Sequence, residues 1–344
     1  MPVQMDDRDK RLLNLLQSEF PLVRRPYAAL GERLPAGEEE ILARIIRLRQ
    51  EKIIRQISAI FDTRSLGYRS SLVAMRADAA RVDEAAAMVN THPGVSHNYK
   101  RSHAFNMWFT IAVPPEKDLE ATVKRLHELA GAESTRILPT LRLFKIGVNL
   151  DMTGESNPAA LEEPAYSDRK REGADPAALT PREILAIREL QEDLPSEPAP
   201  FDPMAARMGI TPEDLFAVAA ELTRRGHLRR FAAVLHHRNA GFRANAMGVW
   251  KVPESRTDEV GAMMGSVRGV SHCYLRPTYP DWPYNIFTMV HGRTVKECEE
   301  ILGSISQATG ITDFSQLYST KEYKKTRVRY FTDEYEAWER QYAA

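Results

Sequence analysis

The chain has 344 residues, of which 43% are hydrophobic and 27% are charged, and its 47 basic residues balance its 47 acidic ones. A net charge of zero does not favour a protein whose main task is to neutralise nucleic-acid phosphates. No apolar run approaches the roughly 20 residues that span a bilayer, and the amino terminus lacks the apolar core of a signal peptide, so we expect a cytoplasmic protein.

Three helices are predicted at the start of the chain. Residues 7–17 carry leucines on one helical face, Pro26 begins a second helix where its missing N–H costs nothing, and residues 38–52 form a third. Three short helices of this kind predict a helix-turn-helix domain over residues 1–53. The same pattern returns over residues 179–227, which predicts a second such domain.

Strands and helices alternate after each helical segment. Over residues 54–150 the predicted order is strand, helix, strand, strand, helix, strand, which is typical of a ferredoxin-like sheet, and residues 228–330 repeat that order. Residues 151–178 are rich in proline and acidic side chains and are predicted to be a linker, and residues 331–344 a C-terminal tail. The predicted fold class is α+β, with two tandem repeats, each a helix-turn-helix domain followed by a ferredoxin-like βαββαβ domain.

One motif occurs twice in the chain. GVSHNYKR at residues 94–101 returns as GVSHCYLR at residues 269–276, which indicates a duplicated domain. Both copies keep a histidine and an arginine inside a predicted strand, where apolar residues are the simpler choice. Because side chains alternate along a strand, the histidine, tyrosine and arginine of each copy are predicted to share one face of the sheet. The duplication therefore repeats candidate functional residues as well as the fold.

The architecture resembles the Lrp/AsnC group of bacterial regulators, and a DNA-binding transcriptional regulator is the alternative function. A recognition helix presents its first turn to base edges between two rows of phosphates. Here those turns carry Glu38, Glu39 and Glu40 in one repeat and Glu213 and Asp214 in the other. These carboxylates favour the helix dipole, but they would face a polyanion. DNA is therefore not expected as a partner.

The strand motifs resemble siroheme decarboxylase. The resemblance rests on HNYKRSHAFNMWFT (97–110), which is similar to one subunit type, and on VLHHRNAGFRANAMGVW (234–250) and SHCYLRPTYPDWPYNIF (271–287), which are similar to its partner. It implies a carboxy-lyase that converts siroheme to 12,18-didecarboxysiroheme and two molecules of carbon dioxide. It also implies two halves that pair within one chain, with a homo-oligomer or related decarboxylase subunits as further partners. The fusion favours heme d1 biosynthesis, and the alternative heme pathway stays open.

This reaction requires a general acid, because the carbon that loses carbon dioxide must gain a proton. Histidine suits the role, since its ordinary pKa lies near neutral pH. The candidate acids are His97, His103, His236 and His272. No organic cofactor and no protein-bound metal are expected, because the macrocycle accepts the electrons and the iron arrives with siroheme. The two cysteines, Cys273 and Cys298, lack the spacing of a metal site.

The many carboxylates of siroheme require cationic and polar groups, and guanidinium forks hold carboxylates bidentately. The predicted substrate-binding residues are Arg64, Arg69, Lys100, Arg101, Asn106, His237, Arg238, Arg243, Arg276, Tyr279, Trp282, Tyr284 and Asn285. Of these, Trp282 lies in a proline-rich segment, residues 277–283, that the first repeat lacks, and it is predicted to form a lid over the ring. Two questions stay open at this point: which repeat holds the competent site, and whether the protein is a non-catalytic siroheme carrier.

Overall fold

The computed structural model describes residues 5–147, 152, 157–158, 160–164, 166–168, 178–236 and 244–342. In chain order the helices are α1 (Asp7–Ser18), α2 (Pro26–Arg33), α3 (Glu38–Gln50), α4 (Val82–Asn90), α5 (Leu119–Ala130), α6 (Pro181–Leu190), α7 (Asp202–Arg207), α8 (Pro212–Arg224), α9 (Thr257–Ser266), α10 (Val295–Thr309) and α11 (Glu334–Tyr342). The strands are β1 (Ile54–Phe61), β2 (Arg69–Arg76), β3 (Val95–Arg101), β4 (Met107–Val113), β5 (Ser134–Pro139), β6 (Arg142–Ile146), β7 (Leu228–Leu235), β8 (Ala244–Trp250), β9 (Val270–Leu275), β10 (Ile286–Gly292) and β11 (Phe314–Lys325). None of these helices is long and apolar enough to cross a membrane.

The chain divides into two units, and each unit takes elements from both repeats. Of the residues described, the helical unit holds 5–65, 152, 157 and 178–236. The sheet unit holds 66–147, 244–342 and the other described residues of the predicted linker. Like elements of the two repeats are therefore grouped together, rather than each repeat folding as a separate block.

The helical unit contains α1–α3 from the first repeat and α6–α8 from the second, which confirms both predicted helix-turn-helix regions. Thr180 and Thr211 cap α6 and α8 with reciprocal hydrogen bonds to the third residue of each helix. The strands β1 and β7 pair with each other, antiparallel, in this unit. The predicted boundaries at residues 54 and 228 assigned these two strands to the ferredoxin-like domains, and their mutual pairing corrects that assignment.

The sheet unit contains one nine-stranded sheet in the order β5-β2-β4-β3-β11-β8-β10-β9-β6. Each repeat supplies four strands in the ferredoxin-like arrangement, β5-β2-β4-β3 and β11-β8-β10-β9, which confirms the predicted fold class. The last strand of each repeat then continues onto the other repeat. The second half of β11 pairs with β3, and β6, which follows β5, pairs with β9. The two repeats are thus joined by a reciprocal exchange of strands.

The two faces of the sheet pack against different layers. On one face, here called the helix face, residues such as Val73 and Phe109 pack with α4 and α5, and their second-repeat equivalents pack with α9 and α10. On the other face, here called the inner face, Ala74 and Trp108 of the first repeat form one core with Val249 of the second. Strand alternation explains this division, because successive side chains point to opposite faces.

Described residues 160–168 of the predicted linker pack against β6 and the second repeat of the sheet unit. Leu161 forms an isolated β-bridge with Val267, and the Glu162 carboxylate accepts from Arg268 and Lys145. The Asp168 carboxylate accepts from the backbone N–H of Leu143 at 2.7 Å. This segment is therefore held by backbone and polar contacts with a folded surface.

The C-terminal segment, which the sequence predicted only as a tail, contains a helix. Its residues 334–342 form α11, which packs on the helix face of the first repeat. Tyr335 and Trp338 enter the core formed with α4 and α5, and the Trp338 indole N–H donates to the Thr91 hydroxyl at 2.9 Å. The buried ring of His92 contacts both aromatic rings, with centroid distances of 5.1 Å to Tyr335 and 4.5 Å to Trp338.

Acid is expected to destabilise the sheet unit through His92. Burial lowers the pKa of His92 to about 3, so between that value and its ordinary value near 6.5 the unfolded chain binds a proton that the folded chain does not. Stability is therefore retained above pH 6.5 and lost as the pH falls below it, with a limiting slope of about 1.4 kcal/mol per pH unit. Urea unfolding followed by tryptophan fluorescence measures this, because all four tryptophans lie in the sheet unit.

His92→Gln should reduce the limiting slope by about 1.4 kcal/mol per pH unit, the share of one histidine, whereas His127→Gln, which replaces a half-buried histidine of α5, should retain the wild-type slope. Equal slopes for His92→Gln and the wild type would show that another group governs acid unfolding.

Candidate active site

The first copy of the motif places a histidine, a tyrosine and an arginine together on the inner face of β3. A register shift between Val95 and His97 reverses the alternation, so that Val95 packs on the helix face while His97, Tyr99 and Arg101 lie on the inner face. The rings of His97 and Tyr99 have a centroid separation of 6.3 Å, and the Arg101 guanidinium carbon lies 5.8 Å from the Tyr99 ring. On the opposite face, Asn98 donates to the Asn90 side chain of α4.

The second copy repeats this geometry on β9. His272 and Tyr274 are separated by 6.0 Å between ring centroids, and the Arg276 guanidinium carbon lies 4.5 Å from the Tyr274 ring. A matching register shift between Val270 and His272 puts these three side chains on the inner face, while Cys273 is buried on the helix face. The predicted common face of histidine, tyrosine and arginine is thus present in both repeats.

A serine orients each histidine. The hydroxyl of Ser96 lies 3.0 Å from Nδ1 of His97, and that of Ser271 lies 2.8 Å from Nδ1 of His272. The Ser271 hydroxyl also lies 3.2 Å from the Met289 carbonyl oxygen, a second acceptor for its single proton. When the hydroxyl donates to this carbonyl, Nδ1 of His272 donates to the serine oxygen, and Nε2 is the nitrogen that gains and loses a proton, as a general acid requires.

The two motif arginines are buried cations. Arg101 is 5% exposed and Arg276 is 7% exposed. Arg101 donates to the Leu317 carbonyl oxygen of β11 at 2.7 Å, and Arg276 donates to the Leu138 carbonyl oxygen of β5 at 2.5 Å. Each arginine therefore bonds to a strand of the other repeat. Nε of each arginine has no hydrogen-bond partner, and no described carboxylate forms an ion pair with either guanidinium.

Burial lowers the pKa of both arginines to about 10, so both remain charged at neutral pH. A buried cation without an anionic partner is costly. In both repeats, the inner face therefore has a buried positive charge that suits a ligand with carboxylate groups.

The inner face also holds a histidine that the sequence reasoning missed. His291 lies on β10, where it continues the row of inner-face residues Phe287 and Met289, and its cross-strand partner is Asn245. Burial lowers the pKa of His291 to about 4, with a smaller contribution from the positive charge of Lys325. The equivalent position in the first repeat is Ala112, so the comparison of the two repeats gave no signal for this residue.

The insertion at residues 277–283 does not form an exposed lid. Trp282 is 1% exposed and lies in the inner-face core, 5.0 Å from Trp108 and 5.3 Å from His103 between ring centroids. The loop is fixed to the first repeat by the Arg136 ion pair with Asp281, at 2.7 Å. The predicted lid is therefore wrong, because the indole fills the space beside Trp108.

The other two aromatic residues of this region are half-buried. The Tyr279 hydroxyl donates to the Ile137 carbonyl oxygen at 2.6 Å, and Tyr284 packs on Trp282 with a centroid distance of 5.3 Å. Contact of these two rings with substrate stays a prediction.

The two asparagines predicted to bind substrate are structural. The Asn106 amide accepts from the backbone N–H of Ala77 at 3.0 Å and donates to the carbonyl oxygen of the same residue at 2.8 Å. Asn285 makes the same pair of bonds with Val252, at 2.9 and 2.8 Å. Each amide joins the loop before one strand to the end of another, and substrate binding by either amide stays a prediction.

Arg69 and Lys100 lie on the helix face, opposite the motif histidines, and their predicted role in substrate binding stays a prediction. Arg69 pairs across the ladder with Val113, a residue of the helix-face core, and its guanidinium is exposed. Lys100 follows Tyr99 on β3, and alternation directs it to the face opposite Tyr99.

The other described candidates are divided between the two units. Arg64 and His236 are exposed and belong to the helical unit. The predicted residues His237, Arg238 and Arg243 lie outside the described residues. His103 does lie in the sheet unit, where its Nδ1 accepts from the Phe105 backbone N–H at 3.0 Å, and burial lowers its pKa.

The third helices of the helical unit carry acidic first turns that are held in ion pairs. In α3, Glu38 pairs with Arg25, and Glu40 accepts from Arg8 at 2.7 Å and from Arg44 at 2.9 Å. Arg44 in turn is held by Asp9 at 2.7 Å. Carboxylates at the helix start and a neutralised arginine do not favour contact with a phosphate backbone.

Comparison with known proteins identifies both kinds of domain. Residues 9–55 and 183–229 match the family model described as siroheme decarboxylase NirDL-like HTH domain, and residues 65–145 and 239–324 match the AsnC-like ligand binding domain. The siroheme decarboxylase of Hydrogenobacter thermophilus is 38% identical over 335 residues, which cover 97% of this chain and 98% of that protein. The siroheme decarboxylase beta subunit of Methanosarcina barkeri is 43% identical over 147 residues, which cover 43% of this chain and 97% of that protein.

A solved structure extends the likeness to the whole fold. The crystal structure of the siroheme decarboxylase NirDL in co-complex with an iron-uroporphyrin III analogue matches this chain with a TM-score of 0.73 and 34% sequence identity. The match covers 98% of this chain and 99% of that chain.

Proposed function

This chain belongs to the siroheme decarboxylase family, and from that premise we propose that it converts siroheme to 12,18-didecarboxysiroheme on the inner face of its sheet unit. The two buried arginines carry the proposal. Arg101 and Arg276 are charged, nearly inaccessible to water and without a carboxylate partner among the described residues. Each lies on the same face as a histidine that a serine orients. This combination suits a substrate that brings carboxylates and needs protons.

In the proposed step, the arginines hold carboxylates that do not react, and histidine supplies the proton. The bond between an acetate carboxyl carbon and its methylene carbon breaks, and carbon dioxide leaves. The electron pair is delocalised into the macrocycle and returns to the methylene carbon, which takes a proton from imidazolium Nε2 and becomes a methyl group. The imidazole then regains its proton from solvent. The step occurs twice for each siroheme.

We further propose that the chain needs no organic cofactor, since the macrocycle accepts the electron pair and the iron is part of the substrate. The two halves act together, because each motif arginine donates to the backbone of the other repeat. The fused form favours the heme d1 route.

The function is tested by incubating the protein anaerobically with siroheme and measuring the tetrapyrrole product by mass spectrometry. Loss of the mass of two carboxyl groups as carbon dioxide is expected. Siroheme that remains unchanged while bound would identify a carrier instead of an enzyme.

Replacing Arg101 by methionine separates a binding role from a structural one. Because Arg101 is a buried charge without a carboxylate partner among the described residues, its removal should change the stability of the ligand-free protein by less than about 1 kcal/mol. Binding of iron-uroporphyrin III should nevertheless weaken about 10- to 100-fold, the loss of one charge-assisted contact. An absorbance titration measures binding, and urea unfolding measures stability. Large destabilisation with unchanged binding would assign Arg101 to the core alone.

A further inference from the structure

The two inner-face motifs differ in the residue that lies opposite each histidine. On β11, Lys325 is the cross-strand partner of His97, whereas on β6 the partner of His272 is Ile146. Directly opposed residues of an antiparallel pair project from the same face, with Cβ atoms about 4.5–5.5 Å apart. An ammonium group therefore stands beside the first-repeat histidine, and an aliphatic side chain stands beside the second.

A second difference lies on the strand beside each histidine. Met289 of β10 is the cross-strand partner of His272, and His291 lies two residues further along the same face, opposite Asn245 of β8. The equivalent positions beside His97 are Ala112 and Ser70. The first-repeat motif therefore has a lysine opposite its histidine, and the second-repeat motif has a further histidine on the neighbouring strand.

Lys325 and Arg101 lie at opposite ends of one row. Lys325 lies on β11, opposite His97 of β3. Arg101 lies on β3 itself, four residues beyond His97. At about 3.3 Å per residue this separates the two cationic positions by roughly 13 Å. A flat macrocycle with carboxylates around its rim can bridge such a distance. Glu322, opposite Tyr99, is exposed and lies between these positions, so its carboxylate remains hydrated.

We propose that Lys325 binds a substrate carboxylate beside His97 and thereby makes the first-repeat motif the one that reacts. This inference rests on the proposed function of the inner face. An ammonium group holds a carboxylate as a point charge, which lets it secure an acetate next to the histidine without fixing the plane of the carboxylate. Ile146 offers no such contact, so the residue opposite His272 does not hold an acetate beside that ring.

The experiment compares Lys325→Met, which keeps the length of the side chain and removes its charge, with Lys325→Arg, which restores a cation. The matched control is Lys321→Met on the same strand, whose ammonium pairs with Asp83 on the helix face. Binding of iron-uroporphyrin III is measured by absorbance titration, and siroheme turnover by mass spectrometry. Melting temperatures show that each variant is folded.

Lys325→Met is expected to weaken binding about 10- to 100-fold, Lys325→Arg to recover most of it, and Lys321→Met to match the wild type. Wild-type binding by a folded Lys325→Met protein would overturn the proposal, as would failure of a folded Lys325→Arg protein to recover affinity. If the wild type binds the probe but does not decarboxylate siroheme, the proposed function fails, and the binding comparison still decides the role of Lys325.

Discussion

Replacing His97 with alanine is expected to lower the rate of siroheme decarboxylation by about 10²–10⁴-fold, the range for loss of a general acid. The expected effect is this large because His97 combines an orienting serine, a neighbouring tyrosine on the same face and Lys325 across the ladder. His272→Ala should have a smaller effect, since Ile146 opposite it cannot hold an acetate beside the ring. Single-turnover assays with analysis of the singly and doubly decarboxylated products measure both changes.

His127→Ala provides the control, because this imidazole lies on α5 and bonds to the Thr135 hydroxyl, away from the inner face. It should leave the rate unchanged. Accumulation of the singly decarboxylated product in His272→Ala would mean that the two repeats divide the two steps. Full activity in both His97→Ala and His272→Ala would show that neither histidine is the acid.

Replacing Trp338 with alanine is expected to lower the free energy of unfolding of the sheet unit by about 3–5 kcal/mol, the usual cost of removing a buried large aromatic side chain. The indole is 5% exposed, packs against His92 at 4.5 Å and donates to Thr91. Its loss leaves a cavity between α11 and the helices of the first repeat. Urea unfolding followed by circular dichroism measures the change without depending on the deleted fluorophore.

Arg340→Ala tests whether the effect belongs to the buried face of α11, because Arg340 is an exposed residue of the same helix. Its expected change lies within about 0.5 kcal/mol of zero, as for most exposed positions. Equal losses for Trp338→Ala and Arg340→Ala would indicate that helix formation, and not packing, sets the contribution of this segment.

The sequence was sufficient to predict most elements and the chemistry of the motif face. Apolar periodicity and caps such as Thr211 mark the helices, and the repeated motif marks β3 and β9. Gly94 at the start of the motif has a steric origin, since a Cβ there would lie 2.0 Å from the Ala112 carbonyl oxygen. These features are local, so they can be deduced from neighbouring residues.

Features that depend on distant partners could not be deduced in this way. Nothing in the composition of β11 indicates that its second half pairs with the other repeat, and the amphipathic segment around Trp338 resembles an ordinary terminus until its partner surface is known. Asn106 looked like a ligand group because its backbone partner, Ala77, is remote in sequence. His291 was missed because its equivalent in the first repeat is Ala112 and it lies outside the repeated motif, so neither comparison marked it.

The reciprocal exchange of strands makes the halves of this protein mutually dependent. A separated first half would present β3 without β11 beside it, and its Arg101 would lose the carbonyl that positions it. A separated second half would present β9 without β6, and Arg276 would lose its carbonyl in the same way. Unpartnered strand edges invite association with other chains. Covalent fusion supplies both halves at a fixed ratio, so neither half is left with an unpaired strand edge.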